Sequence, residues 1–115
     1  MRNFHDLDIW RKAHQLALEV YRATDSLPKS EVFGISVQLR RTAVAIPTRI
    51  AEGSGRDENQ EFATCLHKAR AAASELEYLL LLCRDLGYLP EQHHAHLSEE
   101  TVAVRRMMSV FLRSL

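Results

Sequence analysis

Arginine is the residue type here with the most chemistry to offer. Its planar fork of donors and its permanent charge suit phosphate. Arg41, Arg49 and Arg56 recur at steps of eight and seven residues. At about 100° per residue they share one flank of a helix. Arg106 and Arg113 share the outward face of a later helix, and no acid lies between residues 101 and 115. These five are the candidate nucleic-acid-binding residues, for RNA or DNA. Glu52 follows Arg49 by three and precedes Arg56 by four, so it is assigned to structural ion pairing with both. Arg40 and Arg70 fall on other flanks.

Other chemistries find less to work with. Glu91-Gln-His-His94 has the Glu-x-x-His spacing of di-iron bundles, but those sites need a second such motif and further inward glutamates. The cluster of His93, His94 and His96 therefore reads as a solvated polar turn, and no metal ligand is assigned. Gly53-Ser-Gly55-Arg56 leads into a helix start, where backbone N–H groups can hold an anion. Asp57, Glu58 and Glu61 oppose that use. Nothing places a serine, a histidine and an acid together. The expectation is a non-enzyme with no catalytic residue and no cofactor.

The elements that position these residues are helices. Helix 1 is expected over about 7–25, with Trp10, Ala13, Ala17, Val20, Tyr21 and Thr24 as its buried stripe and Asp6 or Asp8 at its N-cap or in its first turn. Leu27-Pro28 ends it. Helix 2 is expected over about 31–53 with Ser30 as N-cap. Its stripe is Ile35, Leu39, Thr42/Ala43, Ile46, Ile50 and Gly53. Pro47 lies inside and predicts a kink rather than a break. Gly53-Ser-Gly55 offers a left-handed cap. Helix 3 is expected over about 58–86, with Asp57 as N-cap, Gln60 completing a capping box, and Gly87 past its end. Helix 4 is expected over about 91–113, its stripe being Leu97, Thr101, Val104, Met108, Phe111 and Leu115. No strand pattern occurs. The fold class is all-α: a single-domain, left-handed, antiparallel up-down-up-down four-helix bundle.

Two helices carry a second apolar face. Val37, Val44 and Ala51 step by seven along helix 2, and Ser74, Tyr78 and Leu81 lie opposite the core on helix 3. Together they predict a contiguous exposed patch, which soluble monomers rarely tolerate. These six residues are the candidate interface of a homo-oligomer.

The totals fit that picture. The 115 residues hold 15 Lys+Arg and 15 Asp+Glu, so overall charge gives nucleic-acid binding no support. Distribution does more. Residues 37–73 hold six cations and four acids, 74–100 one cation and six acids, and 101–115 three cations and no acid. Cys65 and Cys83 sit on apolar-periodic positions and read as buried hydrophobes in a reducing compartment. No secretory signal follows Met1, and no apolar run is long enough to span a bilayer. The expected location is the cytoplasm, with no membrane partner.

Asp8-Ile-Trp10, Glu31-x-x-Gly34, Gln38-Leu-Arg-Arg41, Ala43-x-x-Ile46-Pro47, Ile50-Ala-Glu-Gly53 with Gly55-Arg56, Ser74-Glu75 and Leu86-Gly-Tyr-Leu89 together resemble the four-helix bundle family of 23S rRNA intervening-sequence proteins, also called the S23 ribosomal protein family. Genes of that family occur within intervening sequences of bacterial 23S ribosomal RNA genes and as stand-alone copies. The family is similar to the accessory variability protein of diversity-generating retroelements, a pentameric bundle whose basic surface binds nucleic acid and a reverse transcriptase. The resemblance implies an up-down bundle, a ring-like homo-oligomer such as a pentamer, contact with RNA or DNA, and no catalytic residues. The chain departs from the family pattern at Ala45 and Arg49, where the family has Ser and Asn. The rival expectation is a protein–protein interaction scaffold that touches no nucleic acid. A third is a metal-dependent bundle enzyme.

Overall fold

The computed structural model covers residues 1–115. It holds four α-helices: α1 (Asp8–Thr24), α2 (Ile35–Ser54), α3 (Asn59–Asp85) and α4 (Glu91–Arg113). Short 3-10 turns occupy Phe4–Asp6 and Lys29–Glu31, and there is no strand. The helices pack in cyclic order, α1 on α2, α2 on α3, α3 on α4 and α4 on α1. Cross-contacts give the direction. Lys12 reaches Glu100 and Glu19 reaches His96, so α1 and α4 run antiparallel. The molecule is a four-helix bundle.

All four helices contribute to one apolar cluster of 24 buried residues. Leu16, Leu39, Ile46, Ile50, Phe62, Leu66, Leu76, Leu80, Leu97 and Met108 are among its largest side chains. The three- and four-residue spacing of these positions is why each segment is helical: only a 3.6 period brings them onto one side. On α1 the buried stripe is Ile9, Ala13, Leu16, Ala17, Val20, Ala23 and Thr24. It is rotated from the expected one, and the expected Trp10 and Tyr21 lie at its edge, Tyr21 being 43% exposed.

Helix starts differ most from expectation. α2 begins at Ile35 after a 3-10 turn, so Ser30 does not cap it; the N-cap is Gly34. Glu31 reaches the new start instead. One of its oxygens accepts from the Ile35 N–H at 3.4 Å and the other from the Tyr88 hydroxyl at 2.8 Å. A Cβ on Gly34 would sit 2.5 Å from that first Glu31 oxygen. At α3 the N-cap is Glu58, with no side-chain hydrogen bond, so neither Asp57 nor a capping box with Gln60 is realised.

The helix ends divide likewise. α3 closes as expected, with Gly87 at φ +78°. The Gly87 N–H donates to the Arg84 carbonyl at 2.9 Å and the Tyr88 N–H to the Cys83 carbonyl at 2.8 Å, the paired bonds of a Schellman motif. α2 runs through a buried Pro47 and through Gly53 to Ser54, and Gly55 has a right-handed φ of −81°. The left-handed cap expected there is absent. Gly53 has another task. A Cβ on it would lie 2.6 Å from the Phe62 ring and 2.8 Å from Cβ of Cys65, so the glycine lets α2 and α3 approach closely.

Candidate nucleic-acid interface

The bundle sorts its arginines by what lies beside them. Arg40 and Arg41 are neighbours with opposite fates. Arg40 turns toward α1, where Nε donates to Thr24 Oγ1 at 2.7 Å and Nη2 to Asp25 at 3.1 Å, while the guanidinium lies 4.7 Å from the Tyr21 ring centre. One residue later, Arg41 is exposed and has no carboxylate within 4.0 Å. Arg105 crosses from α4 to Glu77 of α3 at 3.4 Å, whereas its neighbour Arg106 is exposed and has no acidic partner.

Glu52 holds one of the two arginines assigned to it. Arg49 donates to one of its oxygens at 3.3 Å, and the other accepts from the Cys65 thiol at 3.3 Å. Arg56 forms no ion pair, contrary to the double pairing expected, because the helix ends at Ser54 and carries Arg56 beyond it. The hydrogen bond from Cys65, then the charges of Arg49, Arg56 and Lys68, hold the Glu52 carboxyl below its usual range against the opposing effect of burial. Burial, then the hydrogen bond and the charge of Glu52, push the Cys65 thiol up. Cys65 and Cys83 are both buried free thiols.

The five candidate arginines do not form one surface. Arg41 and Arg49 lie on the flank of α2 turned from α1, the flank whose Glu52 meets Cys65 of α3, and Arg56 lies past the helix end. Arg106 borders an apolar groove with Ile9, Met107, Val110 and Phe111, between α1 and α4. Arg113 lines a groove between α3 and α4 together with Arg70 and His67. Arg70 was not among the expected site residues. Its only sequence signal was a third basic position on a flank of α3, visible once α4 is known to lie there.

The two apolar sets also separate. Val44 and Ala51 line a groove of about 510 Å³ between α1 and α2, walled by Phe4, Trp10, Leu18 and Tyr21. In its aromatic wall Trp10 meets Phe4 edge-on, centred 4.7 Å away, and stacks on His14 at 5.0 Å. Val37 borders a more polar pocket at the α1–α2 turn. Ser74, Tyr78 and Leu81 line a groove between α3 and α4 with His94 and Ser98. In the cyclic packing order these are opposite faces of the bundle, so the six residues form two patches rather than the one contiguous patch expected. Sequence reasoning also missed Phe33, which is 94% exposed in the turn before α2.

The histidines diverge. His94 is buried against α3, a departure from the solvated turn expected, while His96 reaches Glu19 at 3.0 Å. No three His, Cys, Asp or Glu side chains converge as a metal site would need. No helix is long and apolar enough to cross a membrane.

Comparison with known proteins places this architecture. None of the curated proteins compared matches the sequence significantly. A solved structure from the S23 ribosomal protein family of Bacteroides thetaiotaomicron, titled as a protein with unknown function, superposes with a TM-score of 0.82. It is 19% identical, over 90% of this chain and 97% of the other, and at that identity the likeness speaks for the fold alone. The sequence model of a family described as 23S rRNA-intervening sequence protein matches residues 5–110, the span from the first 3-10 turn to the last turns of α4. With the bundle and nearly its whole length accounted for, the chain belongs to the 23S rRNA-intervening sequence protein family.

Proposed function

We propose that this protein is a non-enzymatic, self-associating helical bundle that serves as an accessory nucleic-acid-binding module in the cytoplasm. One observation carries the reading: Arg41, Arg56, Arg106 and Arg113 are exposed and none has a carboxylate within 4.0 Å. A free guanidinium on a surface that also carries acids is available to a phosphate at little cost, because no internal ion pair must be broken first. Self-association is supported by the apolar groove between α1 and α2 and by exposed Tyr78, Leu81 and Phe33, which water covers poorly.

The test is a titration of labelled single-stranded RNA and DNA across salt concentrations. Binding should weaken with log salt by a slope of about 0.7 per phosphate contacted on a single strand. Absence of binding at the lowest salt would sink the nucleic-acid role. The same apolar surfaces favour a second reading, an interaction scaffold for another protein. That reading predicts a free chain with no affinity for either nucleic acid at any salt.

A further inference from the structure

The groove between the start of α3 and the end of α4 is a basic recess. Its walls include His67 and Arg70 from α3 and Ser109, Leu112 and Arg113 from α4, around a volume of about 650 Å³. No acidic side chain lines it. Neither Arg70 nor Arg113 has an ion pair, whereas Arg40, Arg49, Arg84 and Arg105, which also flank helix–helix seams, all have one. Arg70 is half-buried and has no carboxylate within 4.0 Å.

Two acids of α3 are committed or turned away, while Glu58 sits unpaired at the N-cap, next to Asn59 of the groove. Glu77 lies seven residues beyond Arg70, two turns along α3, and pairs with Arg105. Glu61 falls on the α2 side of α3, at about 100° per residue from the groove positions. The start of α3 and the end of α4 meet here with opposed dipoles, so their fields largely cancel and the arginines set the sign of the site. Leu112 and Leu115 add an apolar floor beside the two charges.

We infer that this groove binds a phosphate group of single-stranded nucleic acid, with Arg70 and Arg113 as the phosphate ligands, His67 as a neighbouring donor and the leucine floor under the adjoining nucleoside. A recess of about 650 Å³ suits one nucleotide rather than a duplex. The inference rests on the nucleic-acid reading above and gives it a place, on a face separate from Arg41, Arg49 and Arg56.

The experiment compares wild type, the double variant Arg70→Gln/Arg113→Gln, and Arg22→Gln, which removes an exposed charge on α1 away from the groove. Labelled single-stranded RNA is titrated at several salt concentrations, and adenosine monophosphate is titrated against amide NMR spectra. The expected result is an affinity loss of about tenfold or more in the double variant, with a salt slope smaller by about 1.4 for two lost contacts. Arg22→Gln should stay within about twofold, as one screened surface charge would. If the double variant binds RNA as Arg22→Gln does, the groove is overturned and the nucleic-acid role stands. Suppose wild type ignores RNA, yet the nucleotide shifts the His67 and Ser109 signals in wild type alone. Then the groove stands as a phosphate site and the nucleic-acid role falls. No response to either ligand overturns both. Unchanged circular dichroism and melting of the double variant show that any loss is one of contact, not of fold.

Discussion

The Tyr88 hydroxyl donates to the Glu31 carboxylate at 2.8 Å, joining the turn after α3 to the turn before α2 across 57 residues of sequence. The same carboxylate accepts from the Ile35 N–H, so one side chain caps α2 and anchors the far end of α3. Tyr88→Phe removes the only donor in that link with almost no change of shape. It should lower stability measurably, because a hydrogen bond to a charged acceptor is lost. Chemical denaturation checks this, and a double-mutant cycle with Glu31→Gln should show coupling between the two sites.

Stability should fall as the solution becomes alkaline. The hydrogen bond to Glu31, then burial, raises Tyr88 above its ordinary range, and burial pushes the Cys83 thiol to about 11. Cys65 is raised as well. A raised acid means that the folded state holds its proton longer than the unfolded chain does. Its contribution is therefore complete below the unfolded pKa and is lost as pH rises through the folded one. Melting temperature should be flat from neutrality to about pH 8.5 and fall from there to about pH 11, with the drop shallower in Cys83→Ala. A pH profile of Cys83→Ala parallel to wild type would contradict the assignment.

Gly53→Ala should destabilise although alanine is the better helix former. The added methyl would meet the Phe62 ring and Cβ of Cys65, neither of them a flexible chain end. Overpacking of this kind costs about 1–3 kcal/mol, against about 1 kcal/mol returned by helix propensity. The net loss should be measurable in urea, and a stabilised variant would refute the close-approach role.

Glu52→Gln should strengthen RNA binding at low salt by severalfold. It removes a negative charge from the α2 flank and frees Arg49, while the amide oxygen keeps an acceptor for the Cys65 thiol. The gain should shrink as salt rises, since it is a Coulombic effect. Equal affinity at all salt concentrations would show that this flank is not in contact.

Charging either apolar face should change the solution mass. Val44→Asp acts in the α1–α2 groove and Tyr78→Glu on the α3–α4 face. Light scattering should show wild type above the mass of one chain and each variant below wild type. A monomeric wild type ends the self-association proposal.

Helix number, type and approximate limits were legible because apolar residues recur with the helical period over long stretches, and Gly87 and Leu89-Pro90 punctuate the α3–α4 junction. What was not legible depends on neighbours. Trp10 and Tyr21 fit the stripe of α1 as well as Ile9 and Leu16 do, and the positions of α2 and α4 decide which pair is buried. Ser30 is a good cap in isolation, but Glu31 reaches Ile35 and Tyr88 and moves the start of α2 downstream. The glycine of Ile50-Ala-Glu-Gly53 looked like a stop signal until Phe62 was seen beside it. The arginines needed the packing order most. Sequence puts Arg40 and Arg41 on different flanks of helix 2, but only the packing of α1, with Asp25 at its C-cap, shows that Arg40 is paired and Arg41 is not. Arg70 joins Arg113 only because α3 and α4 are adjacent.

The placement of Val44 and Tyr78 on opposite faces gives a direction to an assembly in which one face meets the other. In that heterologous arrangement a pair of chains leaves one face of each kind unsatisfied. Growth then continues until the path closes on itself. Val44→Asp and Tyr78→Glu would each damage a different end of that path. Mixed with wild type, either one acts as a chain terminator at substoichiometric amounts. Mixed with each other, the two retain one compatible junction, and that pair should stop at two chains.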